Sequence, residues 1–266
     1  VNVIEIKLKI TIVTIVKNGM PFIKETVRSV ISQGYESIEY IVVDSLSTDG
    51  TAEFLLKCKE KINRFTSEND AGIADAFNKG VASASGDYIM FLNADDKLYD
   101  SNSIACLVDY AKKLNQPTFL YGDCVVLERS SGREKYIASI DFNLDGIIKG
   151  IMPPHPSMIV HKSYFEGYGK FDTSFKIAMD YEWFIRGIKS SKIIHVPQII
   201  TSVRDGGVST KNQIRVISEI IAALRKNNYL TSRYKIVCCW TYFLSRYLSR
   251  IILTKLGIYN FIKKSH

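Results

Sequence analysis

The chain has 266 residues, of which 46% are hydrophobic and 23% charged, which is enough apolar material for a sizeable core and too much for a disordered chain. Its net charge of +8 sits at one end: Glu219 is the last acidic residue and nine lysines and arginines follow it, so the body is close to neutral. That distribution speaks against a nucleic-acid-binding body, whose basic residues would line one face of the fold.

The first 96 residues alternate between two periods. Lys9 to Val16 is a β-branched run that predicts a strand, and Pro21 to Gln33 then carries apolar residues at helical spacing. A second strand is expected over Ile38 to Val43, ending at Asp44. The turn Ser47 to Thr51 caps a helix from about Ala52. A short strand follows at Arg64 to Glu68, then a loop at Asn69 to Gly72, a helix over Ile73 to Ala84, and a strong strand from Asp87 to Leu92 that runs into Asn93-Ala94-Asp95-Asp96. Such βα repeats predict an open, mostly parallel sheet, with ligands gathered at the carboxyl ends of its strands. Asp44, Asp70 and Asp95 each stand at or just beyond such an end.

Residues 100–200 mix a helix (Ser103 to Leu114), strands (Phe119 to Leu127, Met158 to Val160, Ile193 to Val196) and a loop-rich stretch at Gly146 to Pro156. A helix is expected over 212–230 and one or two more over 233–262. In Ile236 to Leu253, Thr241, Ser245, Arg246, Ser249 and Arg250 recur at three-to-four spacing and leave Ile236, Trp240, Phe243, Leu244, Tyr247 and Leu248 on other faces. Two arginines make a bilayer span improbable, so this amphipathic helix lies on a membrane surface or packs on the core with its basic face solvated.

Two adjacent carboxylates after a strand repel each other unless a cation or proton intervenes. Asp95 and Asp96 therefore read either as ligands of Mg²⁺ or Mn²⁺ or as turn-capping aspartates. The five cysteines, Cys58, Cys106, Cys124, Cys238 and Cys239, have no CxxC spacing and lie in apolar runs, which reads as buried thiols of a reducing compartment. The apolar N-terminus is interrupted by Glu5, Lys7 and Lys9 and has no cleavage pattern, so a cytoplasmic protein is expected.

Four segments in order, ITIVTIVKN, IEYIVVDSLSTDGT, ENDAGIADAFNKG and GDYIMFLNADD, with AMDYEWFIR at 178–186, resemble the family 2 glycosyltransferases. The resemblance covers about residues 9–210 and implies a GT-A fold, an α/β, Rossmann-like architecture whose mostly parallel central sheet is flanked by helices, with the C-terminal amphipathic helices added. It implies a domain over 1–211, with a nucleotide-sugar-binding half (1–99) and an acceptor-side half (100–211), followed by a basic helical region at 212–266. The implied activity is metal-dependent, inverting transfer of a sugar from a nucleotide diphosphate donor to a glycan or lipid-linked acceptor, in polysaccharide or glycolipid assembly. The membrane partner would be the inner face of the cell membrane.

Carried over by residue, the resemblance places Asp44, Asp70, Asp75, Asn78, Lys79, Asn93 and Asp95 beside the donor. Asp95 and Asp96 would hold the metal, and Asp180 would be the base that takes the acceptor proton. On the acceptor side stand His155, in its Pro-flanked loop, with Glu182, Trp183 and Arg204. For these residues capping, surface or core roles stand beside ligand contact, and for Trp183 core packing is the stronger reading, with sugar stacking the alternative. Two positions depart from the family pattern. Asn93 occupies the place of a first aspartate, and Ser45 that of a second acid after Asp44, which leaves the donor nucleotide open. A dehydrogenase would need G-x-G-x-x-G after the first strand, where this chain has Lys17-Asn18-Gly19. A catalytically silent, membrane-associated nucleotide-sugar-binding module is the alternative that keeps the fold.

Overall fold

The computed structural model describes residues 7–255. Nine strands form one sheet: β1 (Ile10–Val16), β2 (Ile38–Asp44), β3 (Arg64–Ser67), β4 (Tyr88–Phe91), β5 (Lys97–Leu98), β6 (Phe119–Leu127), β7 (Glu134–Ala138), β8 (Met158–His161) and β9 (Ile193–Arg204). Their order is β3-β2-β1-β4-β8-β6-β9-β5, with β7 paired to β6. β1 to β4 run parallel, β8 runs against both β4 and β6, and β6 and β9 are parallel to each other. The sheet is mixed, with its parallel majority carrying the βα units that the sequence predicts.

The helices cover both faces. α1 (Ile23–Ile31), α2 (Thr51–Lys57) and α4 (Ser103–Lys113) bury Ile23, Val27, Leu55, Ile104 and Leu107 with Ile10, Ile12 and Val42 of the strands. On the other face α3 (Ile73–Ser83), α5 (Ser163–Tyr168), α6 (Met179–Arg186) and α8 (Gln213–Lys226) bury Phe77, Tyr164, Trp183, Phe184, Ile221 and Leu224 against Val13, Ile41 and Phe91. A single turn, α7 (Val208–Lys211), leads into α8, and α9 (Arg233–Lys255) closes the described chain. α3 fits tightly because Gly80 lies against Val13, where a Cβ would meet a valine methyl at 2.3 Å.

β9 is three times longer than the sequence alone implies, because Pro197 is absorbed in an irregular register against β6 and pairing resumes beyond it. Gly122 permits this: a Cβ there would stand 2.6 Å from the carbonyl of Gln198. The extension delivers Arg204 to the same sheet edge as the loop after β4. Tyr99 donates to the carbonyl of Ile200 and the backbone N–H of Arg204 to Asp96, which ties the two segments together.

Candidate functional site

Pairing registers align the strand ends. Val16 lies beside Asp44 and Asp44 beside Ser67, so β1, β2 and β3 stop level, while β4 ends at Phe91 one strand over. β8 enters from the opposite direction, and its register puts Ile159 beside Met90, so the 3-10 turn His155–Ser157 sits just past the end of β4. The rim therefore gathers the loops after β1 to β4 and the loop before β8.

On the donor half, aspartates build the loops. Asp44 is fully buried and accepts from the Ser47 N–H at 3.1 Å, the Ser47 hydroxyl at 2.5 Å and the Ser67 hydroxyl at 2.6 Å. Asp70 accepts from the Ser45 hydroxyl and from the Gly72 N–H at 2.8 Å. The loops after β1 and β2 are laced together: Asn18 accepts from the Thr48 N–H at 2.9 Å, and Asp49 from the Met20 N–H at 2.9 Å. Asp75 accepts from the Ala71 N–H at 3.1 Å, and Lys79 bridges the Asn69 carbonyl, Glu68 and Asp75. Asn78 is committed elsewhere: its amide exchanges two 2.9 Å hydrogen bonds with the backbone of Phe171 and so joins α3 to the acceptor half.

The two adjacent carboxylates part company. Asp96 is buried, accepts from the Asn93 amide at 2.9 Å and from the Arg204 N–H at 3.2 Å, and burial together with the neighbouring Asp95 raises its pKa to about 7. Asp95 turns its partly exposed carboxylate to the guanidinium of Arg129, whose Nε donates to the Asp205 carbonyl at 2.9 Å. Arg204 donates to the Asp95 carbonyl at 2.7 Å and to Glu25 at 2.8 Å, and both arginines stand over the Phe22 ring. Arg129 and Glu25 have no signal in the sequence pattern, since a turn in the β6–β7 hairpin and a surface position of α1 reach this point only through the sheet.

A divalent cation fits this position in a restricted sense. The Asp95 carboxylate already faces a positive charge, but among the described residues no three His, Cys, Asp or Glu side chains converge on a metal-binding geometry. Asp95 would hold the ion, with the rest of its shell drawn from phosphate oxygens and water, the mode that Mg²⁺ and Mn²⁺ favour. Asp96, with both oxygens engaged inside the fold, offers no open ligand.

On the C-terminal half, α6 presents Asp180 at its first turn with its side chain a quarter exposed. His155 Nδ1 lies 4.0 Å from Asp180 Oδ2, and the imidazole stacks on Phe91 with centroids 5.2 Å apart and an 18° interplanar angle. Asp180 is thereby joined to the end of β4, four residues before Asp95. Two other residues expected on the acceptor side lie inside the fold. Trp183 is fully buried, stacks on Phe165 and donates to the Gly169 carbonyl at 3.0 Å. Glu182 is fully buried as well; burial would push its pKa up, but hydrogen bonds from Arg186 and Lys226 hold it below the ordinary carboxylate range. Both face away from the rim because α6 turns this side to the aromatic core and to α8. An open cleft of about 680 Å³ lies between α8 and α9, lined by Arg225, Lys226, Asn228 and Ser232, and none of the rim residues borders it.

A parallel-majority α/β sheet flanked by helices, with acidic residues beyond its strand ends, is the architecture of the GT-A glycosyltransferases. The Glycosyl transferase family 2 model matches residues 11–164, and the chain belongs to that family. An uncharacterized glycosyltransferase of Mycobacterium tuberculosis is 28% identical over 227 residues, 85% of each chain. TuaG of Bacillus subtilis, whose name refers to teichuronic acid biosynthesis, is 38% identical over 91 residues, 33% of this chain and 36% of its own. Among solved structures, Staphylococcus aureus TarS 1–349 in complex with UDP-GlcNAc superposes with a TM-score of 0.67 at 17% identity, covering 94% of this chain and 76% of that one; the chain spans 44% of the longer TarS structure. The mannosyltransferase PcManGT of Pyrobaculum calidifontis, in complex with GDP-Man and Mn²⁺, has a TM-score of 0.61 at 19% identity, covering 89% of this chain and 70% of that one. At these identities the structures bear on the fold.

Proposed function

We propose that the protein is an inverting glycosyltransferase that moves a sugar from a nucleotide diphosphate donor to an acceptor hydroxyl, in polysaccharide or glycolipid assembly, with Asp180 as the base. The observation that carries this reading is the link from Asp180 through His155 to Phe91, which ties a partly exposed carboxylate to the end of the strand whose following loop bears Asp95. An acceptor hydroxyl is a weak nucleophile, so a carboxylate must take its proton as the oxygen attacks the anomeric carbon. The new carbon–oxygen bond forms as the bond to the diphosphate breaks, the proton passes to Asp180, and one displacement inverts the anomeric centre. A Mg²⁺ or Mn²⁺ ion held by Asp95 would offset charge on the departing diphosphate. Asp44 and Asp70 shape the pocket for the nucleoside, and Arg129 and Arg204 supply positive charge at the diphosphate end.

Membrane contact through the C-terminal region belongs to the same reading. Val237, Trp240, Leu244 and Leu248 form an exposed stripe along α9, in a segment whose charged residues are all basic, which suits an anionic lipid surface presenting a lipid-linked acceptor on the cytoplasmic side. No helix among the described residues is long and apolar enough to cross a membrane. The test is release of nucleoside diphosphate from a panel of sugar nucleotides, with and without Mn²⁺, by the wild type and by Asp180→Asn. Turnover by the wild type that is abolished in the variant supports the proposal, and equal turnover by both removes Asp180 from the chemistry.

A further inference from the structure

The His155 ring is boxed on three sides by carbon. It stacks on Phe91 of β4, and the rings of Phe77 from α3 and Phe171 from the loop before α6 meet it edge-on at 5.8 and 6.3 Å. Its Nε2 is buried and has no hydrogen-bond partner, while Nδ1 faces Asp180 Oδ2 at 4.0 Å. Below it, the 3-10 turn is anchored by the Ser157 hydroxyl, 2.5 Å from that of Thr201 and 3.3 Å from the Asp123 carbonyl, and the Asp123 carboxylate is itself paired with His195 at 2.8 Å. Asp180 is thus the one charged group among the described residues recorded against this imidazole.

Such a box decides where the proton goes. An imidazolium needs acceptors at both nitrogens, and a proton on Nε2 would leave a buried N–H unmatched among aromatic rings. With the single proton on Nδ1, the N–H is on the side of a carboxylate and the buried Nε2 is left as a lone pair, with no donor stranded among the rings. Burial acts in the same direction by lowering the pKa of His155, against the opposing pull of Asp180.

Resting on the assignment of Asp180 as the base, we infer that His155 is a positioning residue: a permanently neutral, Nδ1-protonated imidazole that fixes Oδ2 of the Asp180 carboxylate, while Oδ1, which accepts from the Tyr181 N–H at 2.8 Å, keeps a second lone pair for the acceptor hydroxyl. A cation there would neutralise the base, whereas a neutral donor orients it and leaves its charge intact. The 4.0 Å separation needs to shorten by about 1 Å to reach hydrogen-bond length, as catalytic contacts do when substrate closes a site.

The deciding measurement needs no substrate. In long-range ¹H–¹⁵N spectra of the full chain labelled with ¹⁵N-histidine, the His155 resonances are those that vanish in His155→Asn. They are expected to report the neutral Nδ1–H tautomer from pH 6 to pH 8, with Nδ1 shifting in Asp180→Asn. An Nε2–H tautomer or an imidazolium at pH 7 overturns the inference. Kinetics give a second reading, with whichever of UDP-GlcNAc and GDP-mannose the wild type hydrolyses. His155→Phe keeps a packed ring and removes the donor, so kcat should fall about tenfold with the donor KM unchanged; His155→Asn returns an N–H near the Nδ1 position and should recover most of that loss. Equal loss in the two variants assigns His155 to packing alone. Asp180→Asn with wild-type kcat, by contrast, overturns the base assignment itself.

Discussion

The donor and acceptor halves place their carboxylates by opposite means. In the donor half Asp44, Asp70 and Asp49 are held by serines, a threonine and backbone N–H groups of their own or neighbouring βα loops, within 29 residues in sequence. In the acceptor half Asp180 rides on a helix fixed from far away. Glu219 of α8 accepts the N–H groups of Lys176, Ile177 and Ala178, which lead into α6, while Lys226, Asn227 and Arg186 surround the buried Glu182. A local site tolerates change elsewhere in the chain, whereas a clamped one transmits it. The position of Asp180 is therefore a property of α8 as much as of α6.

Asp180→Asn probes the end of that clamp and should have the largest effect, a loss of about 10²- to 10⁴-fold in kcat with donor affinity unchanged, because it removes a proton acceptor and no phosphate contact. Isothermal titration with the donor beside single-turnover rates separates the two, and a matching fall in affinity would place Asp180 on the donor side. Glu182→Ala probes the clamp itself. It takes the carboxylate from the largely buried Arg186, while Lys226 keeps Asp172, and leaves a void at a fully buried position, so a loss of about 3 kcal/mol is expected from urea unfolding. A loss under 1 kcal/mol would mean that α6 is held by its aromatic face alone.

The donor half was readable from residue order because its information is local. Alternating periods gave the βα units, and an acid after a β-branched run lies at a strand end whatever the rest of the chain does. The acceptor half was readable only in part. Asp180 and His155 stand out by motif, but nothing in the spacing says that Glu182 and Trp183 turn inward, since a helix whose polar face packs on another helix looks like one whose polar face meets solvent. Arg129 and Glu25 were hidden for a different reason: their meeting with Asp95 and Arg204 depends on strand order across the sheet. The tail was split between two expectations, and α9 divides its apolar residues accordingly, with Ile236, Phe243 and Tyr247 against the larger core and Trp240, Leu244 and Leu248 outward.

Within the donor half, Asp95 and Asp96 allow a finer cut. Asp95→Ala should weaken Mn²⁺-dependent donor binding by at least about tenfold in calorimetry, with little effect in the absence of metal. Asp96 should register in stability. Its pKa of about 7 in the folded protein lies above that of an unfolded aspartate, so the folded state binds the extra proton and stability drains away as pH rises from about 4 to 7. Asp96→Asn carries no such proton, and its unfolding free energy should gain on the wild type across that window, by up to about 4 kcal/mol. A constant difference between pH 4.5 and pH 8 would show Asp96 ionised throughout.

The smallest effect on the folded protein is expected at the outer stripe of α9. Leu244 and Leu248 are about half exposed, 47% and 48%, so replacing both by Glu should move the unfolding midpoint by less than about 0.5 kcal/mol. The same change puts two negative charges into a stripe that, on this reading, meets an anionic surface, and it removes the apolar contact that offsets headgroup desolvation. Flotation with phosphatidylglycerol-rich vesicles should therefore fall sharply for Leu244→Glu with Leu248→Glu, while diphosphate release with a soluble acceptor stays at the wild-type level. If binding to those vesicles is unchanged, the stripe faces water and the acceptor half owes nothing to the membrane. If soluble-acceptor activity falls as well, α9 is coupled through α8 to the loop before α6, and the clamp on Asp180 extends to the last described helix.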